Sequence, residues 1–236
     1  MSKLNNGDFY FGISDSKIHI CFFETGKNNI KQSVDFDIPD SLNNNLNFKI
    51  ILNLLRANIR KLEKSLGSFL NQGNISIHSK TNQNIFFCIK TIFDKKKLDN
   101  GVIANLVQSG IQYFNNYEKN LRIVHVIINK YIIDDISYDL LPENVTSKKI
   151  ILEIEIVCLD KNLINKIQNL FKECKINLNK IVSFKYAKQF LNKEKDPTMC
   201  ISAKRVIDGV NKSEVVIRHD NSRKIGIFDK IFYLFD

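Results

Sequence analysis

Strand-like and helix-like periodicities follow one another in a fixed order between residues 80 and 180. Apolar or alternating runs indicate strands, whereas apolar residues spaced by three and four indicate amphipathic helices. The order is strand, helix, strand, strand, helix, which predicts a compact α+β unit. The five segments are 84–93, 98–114, 121–135, 148–160 and 161–175.

The chain on either side of this unit has a different pattern. Residues 9–24 predict a β-hairpin, 47–67 an amphipathic helix and 75–79 a short strand, with a polar, Asn-rich loop after the hairpin. Downstream, 175–190 predicts a short strand that leads into a helical stub. Residues 196–209 predict a helix that Asp196 caps and Gly209 ends.

Composition excludes several classes of function. The 236 residues are 44% hydrophobic, which suits one or two globular domains, and the net charge of +10 is spread without a basic run interleaved with aromatics. Nucleic-acid binding is therefore not expected. The five cysteines have no CxxC spacing and no histidine cluster, so we expect reduced, buried thiols in a cytosolic protein and no metal. The N-terminus has no signal-peptide core, and no run reaches the roughly 18 apolar residues of a membrane span.

A single histidine, His125, lies within the apolar strand segment 121–135. Both faces of this strand are expected to be covered, and the sequence shows no nucleophile or carboxylate dedicated to the imidazole. We therefore expect a packed or interface histidine rather than a catalytic base.

The order of elements resembles the FtsA family, the actin-like membrane tethers of bacterial cell division. The resemblance implies an actin-type subdomain that begins with a strand pair and a helix. A strand–helix–strand–strand (SHS2) insert then follows, and the chain returns to the actin-type sheet. The segments 148–175 and 182–190 resemble the family's next strand and helix and its return strand. The local match in the insert strand comprises His125, Val126, Ile127, Tyr131, Ile133 and Asp134.

This resemblance implies an α+β fold with a partial actin-like, ribonuclease H-like subdomain. The expected parts are 1–79 as the first part of that subdomain and 80–180 as the inserted interaction domain. The return strand and helices, a polar linker and a C-terminal amphipathic helix follow at 181–210, 211–224 and 225–236.

The first hairpin departs from the family where a nucleotide phosphate and its metal ion would lie. Gly12 falls at the family's Asp position and Ser14 at its Gly position, and Asp15 would approach from the opposite face. The second phosphate loop, Asp-x-Gly-Gly-Gly-Thr, has no counterpart. The expectation is a degenerate loop, no bound cofactor and no enzymatic activity, with an actin-like ATPase as the alternative. The degenerate loop comprises Gly12, Ser14, Asp15, Ser16 and Lys17.

The last residues, GIFDKIFYLFD, predict a helix with one bulky apolar face. A docked helix would be commoner in an arbitrary protein, but a polar stretch isolates this one and FtsA proteins end in a membrane-targeting helix. We therefore expect it to lie in a lipid interface, bound reversibly by a few kcal/mol. The expected membrane-binding residues are Ile227, Phe228, Lys230, Ile231, Phe232 and Phe235.

Together these features predict an FtsA-like, non-catalytic adaptor that joins division-machinery proteins, bound through 80–180, to anionic inner-membrane lipid. The expected location is the cytoplasmic face of the inner membrane at midcell. Self-association is left open, and binding to the tubulin-like FtsZ is not expected because in the family it belongs to the second half of the molecule. The alternative in the same structural group is a PilM-like cytoplasmic scaffold for pilus assembly, which lacks the terminal helix.

Overall fold

The structure is a computed structural model that describes residues 7–27, 30–38, 48–191 and 199–215. It divides into two compact units. The first unit is Met1–Asn84 with Val157–Asn211, and the second unit is Ile85–Ile156 with Lys212–Asp236. The strands are β1 (Gly7–Ile13), β2 (Lys17–Glu24), β3 (Ile30–Asp37), β4 (Gln72–Ile77), β5 (Gln83–Lys97), β6 (Leu121–Ile133), β7 (Ile136–Tyr138), β8 (Thr146–Asp160) and β9 (Asn177–Ser183). The helices are α1 (Phe48–Leu66), α2 (Asn100–Tyr117), α3 (Lys161–Glu173), α4 (Phe184–Ala187) and α5 (Met199–Ile207).

The first unit is built on a five-stranded sheet of order β3-β2-β1-β4-β9. Strands β1 to β3 form an antiparallel meander, whereas β4 runs parallel to β1 and β9 parallel to β4. The chain leaves this sheet after β4 and comes back to it with β9. This return strand gives the partial actin-like organisation expected from the sequence, and the α+β class is confirmed.

Helices cover both faces of this sheet. The stripe on α1 at three- and four-residue spacing buries Ile51, Leu55 and Leu62, and the ring of Phe171 on α3 packs edge-on at 4.6 Å against Phe11 of β1. Helix α5 covers the other face of the sheet, where Met199 lies against Gly12 of β1. Here the Sγ of Cys200 donates a hydrogen bond to the carbonyl of Tyr10 at 3.3 Å. Each large apolar side chain covered in this way contributes roughly 1.5–3 kcal/mol.

The second unit contains a four-stranded sheet of order β5-β8-β6-β7. Helix α2 begins where Asp99 accepts a hydrogen bond from the Val102 amide at 2.9 Å, and it packs on β5 at Gly110. A Cβ on Gly110 would lie 2.5 Å from Cδ1 of Ile89, so a larger residue here would require the Ile89 side chain to shift. Strand β6 turns into β7 through Asp134, whose φ is +46° and whose carboxylate accepts from the Lys148 and Lys149 amides.

Some sequence-based expectations were wrong in detail. Residues 30–37, expected in a polar loop, form the edge strand β3, and 136–138 add the short strand β7. The insert was expected to extend to residue 180, but α3 and β9 contact the first unit, so its boundary lies after Ile156. Cys21, Cys158 and Cys200 are buried as expected, whereas Cys88 is exposed.

The predicted linker 211–224 begins as part of the packed structure. Within it, residues 213–215 pair antiparallel with β6, which holds them to the second unit. The predicted C-terminal helix, 225–236, lies outside the described residues, as does Asp196, the predicted cap of α5.

Candidate functional site

The turn between β1 and β2 closes the hairpin at Ser14–Lys17, where the sequence predicts a degenerate phosphate loop. The Ser14 amide donates to the Lys17 carbonyl at 2.9 Å, and the Lys17 amide donates to Oγ of Ser14 at 3.1 Å. Further along, the Ser16 carbonyl accepts from the Ile38 amide at 2.7 Å. Two of the amides that a phosphate loop would offer to an anion are therefore used inside the turn.

The charged residues of this turn are paired across the surface. Asp15 lies 3.5 Å from Nζ of Lys80, and Lys17 lies 3.7 Å from Asp37. All four side chains are more than half exposed. Exposed pairs of this kind contribute little to stability, and the Asp15 carboxylate is paired with a lysine.

The space beside Gly12, where the resemblance implies an aspartate in the family, is filled by a side chain from α5. A Cβ on Gly12 would lie 2.7 Å from Cβ of Met199 and 3.5 Å from its sulfur. Met199, the first residue of α5, is buried on this spot. No side chain, and hence no aspartate, fits at Gly12 without displacing α5.

The neighbouring strand carries a buried hydroxyl beside this contact. Ser76 of β4 is the register partner of Gly12, is fully buried, and its Oγ has no hydrogen-bond partner among the described residues. A buried hydroxyl without a hydrogen-bond partner is uncommon and is expected to cost stability.

Titratable groups under α5 are held in their neutral forms. Burial, reinforced by a hydrogen bond with Cys21, raises the pKa of the Cys200 thiol well above its usual value. Burial, with Asp208 nearby, also raises the pKa of Tyr10. Neither group is an activated nucleophile or base at neutral pH.

In the second unit, the carboxylate of Glu214 contacts His125, and the sequence did not predict this contact. Nδ1 of His125 lies 2.7 Å from Oε1 of Glu214, and the two side chains are 2% and 12% exposed. Residues 125 and 214 belong to segments that pair as strands, since Glu214 lies opposite Ile127. The sequence carries no signal for a contact between residues so far apart. The expectation of a packed histidine holds, but its partner is an acid.

Among the described residues of the second unit, one edge of the sheet has no neighbouring strand. β5 is the terminal strand of the sheet, and its burial alternates, with Phe86 66% and Ile92 71% exposed on one side. The other side, with Phe87 and Ile89, faces α2. A long edge strand with exposed apolar residues is a site for pairing with another strand.

No metal-binding group of three or more His, Cys, Asp or Glu side chains occurs in the part of the chain that the structure describes. None of the described helices is both long and apolar enough to cross a membrane. The residues expected to bind lipid, from Ile227 to Phe235, lie outside the described ranges.

No family model matches the chain. No curated protein matches it either.

Among solved structures, the chain is similar to three proteins at low identity. The first is a PilM-PilN type IV pilus biogenesis complex, at 7% identity and a TM-score of 0.47 over 78% of this chain and 49% of that one. A protein of unknown function with an actin-like ATPase fold, from Bacteroides thetaiotaomicron, gives 14% and 0.31 over 79% and 56%. The cytoplasmic domain of EpsL, an inner membrane component of the type II secretion system of Vibrio cholerae, gives 6% and 0.35 over 77% and 57%.

The chain spans about half of the length of the proteins that it matches in structure, from 49% to 57%. These likenesses are distant, so the actin-like organisation of the first unit rests on its own strand order: a strand pair and helix, an insertion, and a return strand beside β4.

Proposed function

We propose that the chain is a non-catalytic, membrane-peripheral adaptor of FtsA type, which links division-machinery proteins to the inner membrane. The observation that carries the proposal is the contact of Met199 with Gly12. Where an actin-type hairpin would hold a nucleotide phosphate and its metal ion, α5 lies directly on the strand.

The chemistry of the first hairpin supports a loss of nucleotide hydrolysis. A catalytic magnesium site needs carboxylate oxygens on the phosphate side of the hairpin. Gly12 cannot supply one, and Asp15 is engaged with Lys80. In this proposal the contact of α5 with Gly12 stabilises the first unit and does not contribute to ATP binding.

The second unit supports the interaction role. Its sheet ends in β5, whose backbone edge and apolar side chains Phe86 and Ile92 are available to a partner. In this proposal the first unit is the scaffold, the second unit binds the protein partner, and residues 225–236 bind lipid.

A PilM-like cytoplasmic scaffold is the second candidate. It shares the actin-like organisation with an insert, and the strand order of the described residues fits both. The two candidates differ in the amphipathic residues Phe228, Ile231, Phe232 and Phe235, which a PilM-like scaffold does not need.

Two measurements on the full chain test the proposal. Titration calorimetry with ATP and magnesium should give no low-micromolar binding, and such binding would refute the non-catalytic assignment. A fluorescent fusion should lie at midcell and move to the cytosol when 225–236 is deleted. A fusion that is cytosolic with and without these residues would favour the PilM-like scaffold, and a membrane-bound fusion away from midcell would refute the division role.

A further inference from the structure

The exposed strand β5 has a sequence that is nearly symmetrical in its apolar character. About Ile89, Phe86 and Ile92 lie three residues to either side, and Ile85 and Phe93 lie four residues to either side. Phe86 and Ile92 are also the large apolar residues of this strand that are most exposed. A strand with this symmetry can present the same apolar pattern to an antiparallel copy of itself.

We propose that β5 pairs antiparallel with β5 of a second copy of this chain, about a two-fold axis at Ile89. The axis stands perpendicular to the sheet, so that each residue keeps its face on crossing to the second copy. Phe86 then lies opposite Ile92 of the second copy, and the reverse pair completes the contact. Aromatic pairs with β-branched residues are among the favourable cross-strand pairs.

Charge and the apolar pairs together favour this register over its neighbours. With the axis at Ile89, Lys90 lies opposite Cys88 of the second copy, and no like charges meet. With the axis at Lys90, that lysine would face its own copy, and Phe86 would face Asp94. With the axis at Cys88, Phe86 would face Lys90. Like charges directly opposite each other destabilise a strand pair, which counts against the axis at Lys90. Both alternatives also separate Phe86 from Ile92 of the second copy.

The pairing ends at a defined position. Lys95 has a φ of +59°, in the left-handed region, so the extended backbone is interrupted there. In the register centred on Ile89, Lys95 lies opposite Gln83, the first residue of β5, so Lys96 and Lys97 have no strand residue to pair with. The contact therefore extends over β5 as far as Asp94, and it is a small interface of the kind that gives weak, concentration-dependent association.

This inference deepens the proposed adaptor function, since it names a partner for the same edge. A weak dimer would present two C-terminal helices on one assembly, and two weakly bound helices hold a membrane far better than one through effective concentration.

Sedimentation velocity of the full chain without lipid tests the pairing. The wild type should show a monomer–dimer equilibrium that shifts with concentration. The pair of Phe86 with Ile92 occurs twice in the symmetric dimer, and Ile92→Lys removes both copies. Association should therefore weaken by about tenfold. The matched control is Ile136→Lys on β7, at the other end of the same sheet and also exposed; it should leave association unchanged. A wild type that stays monomeric, or a control that weakens association as much, overturns the proposal.

Cross-linking tests the register separately. In a Lys90→Cys variant, the introduced thiol lies opposite Cys88 of the second copy, so mild oxidation should give a disulfide-linked dimer. In the wild type, Cys88 lies diagonally from its own copy and should cross-link poorly. Efficient cross-linking of the wild type would move the axis to Cys88 and refute the register. These outcomes are independent of ATP binding and of midcell localisation, so failure here does not count against the adaptor function.

Discussion

His125 and Glu214 form a buried pair, with Nδ1 of the imidazole 2.7 Å from Oε1 of the carboxylate. Around it, the Val215 amide donates to the Val126 carbonyl at 2.8 Å, and the Ile128 amide donates to the Ser213 carbonyl at 2.9 Å. The side-chain pair and these two backbone bonds attach the end of the described chain to β6. The histidine thus takes part in holding this segment in place.

Replacing Glu214 with Ala should release that segment. The buried imidazole loses its acid partner, and we expect the free energy of unfolding to fall by about 1–3 kcal/mol. Hydrogen exchange should become faster at the Ile128 and Val215 amides. His125→Ala should act similarly, and the double variant should cost less than the sum of the two because they share one interaction. Asp37→Ala, in an exposed pair, is the control and should change stability by less than about 1 kcal/mol. Additive effects would contradict the pairing.

The Gly12 contact predicts a penalty for any side chain there. Gly12→Ala should lower the free energy of unfolding by about 1–3 kcal/mol, because its Cβ would overlap Met199. Ser16→Ala in the same hairpin is exposed and should stay within about 0.5 kcal/mol of the wild type. Denaturation followed by circular dichroism measures both. A stability unchanged by Gly12→Ala would mean that α5 does not close this position.

Ser76 predicts a change in the opposite direction. Replacing it with Ala removes a buried hydroxyl that has no partner among the described residues, so stability should stay constant or rise by up to about 1 kcal/mol. Ser183 is equally buried, but its Oγ binds Asn82 and accepts from the Tyr186 amide. Ser183→Ala should therefore cost about 0.5–2 kcal/mol. Equal losses in the two variants, compared by chemical denaturation, would refute the distinction.

Glu24 predicts a measurable pH dependence. Hydrogen bonds from Lys27 and Lys31 lower its pKa from 4.5 to about 2. A depressed carboxyl pKa stabilises the folded state above the unfolded value, and this contribution is lost as pH falls from about 4.5 through about 2. Carboxyl NMR titration should give a midpoint near the lower value. Lys27→Ala and Lys31→Ala should each raise it, whereas Lys17→Ala should not. A wild-type midpoint at 4.5 would contradict the contacts.

The lipid-binding prediction concerns residues outside the described ranges. Phe232→Glu puts a charge on the apolar face of 225–236, and its desolvation should outweigh the few kcal/mol that the helix gains on lipid. Vesicle co-sedimentation should be lost while the melting temperature stays constant. Ser222→Glu adds the same charge in the polar stretch and should still sediment. A lower melting temperature with unchanged sedimentation would instead indicate a helix docked on the protein.

Much of the fold could be predicted from local pattern. The stripe from Ile51 to Leu62 on α1 predicts its buried face because a three-and-four repeat is sufficient to place it. Strand β3 was missed because it is an edge strand whose residues alternate between half-buried and exposed, and its Gln, Lys, Ser and Asp residues resemble a loop.

The candidate site could be predicted only in part. The sequence identifies Gly12 as the departure from an aspartate, but the side chain that fills the space, Met199, comes from a helix far along the chain. The contact of Glu214 with His125 could not be predicted for the same reason, because it depends on strand pairing between segments separated by 89 positions. The pattern of a segment reports which face is buried, and it does not report which distant residue covers that face.

The strand pairing of 213–215 with β6 also sets the length of chain that separates the second unit from residues 225–236. If residues 225–236 bind a lipid surface, the nine residues 216–224 connect that surface to the edge of β6. A fully extended chain of this length reaches about 30 Å. The edge of β6 at Val215 would therefore stay within about 30 Å of the bilayer, close enough for the second unit to meet the juxtamembrane segments of integral membrane proteins.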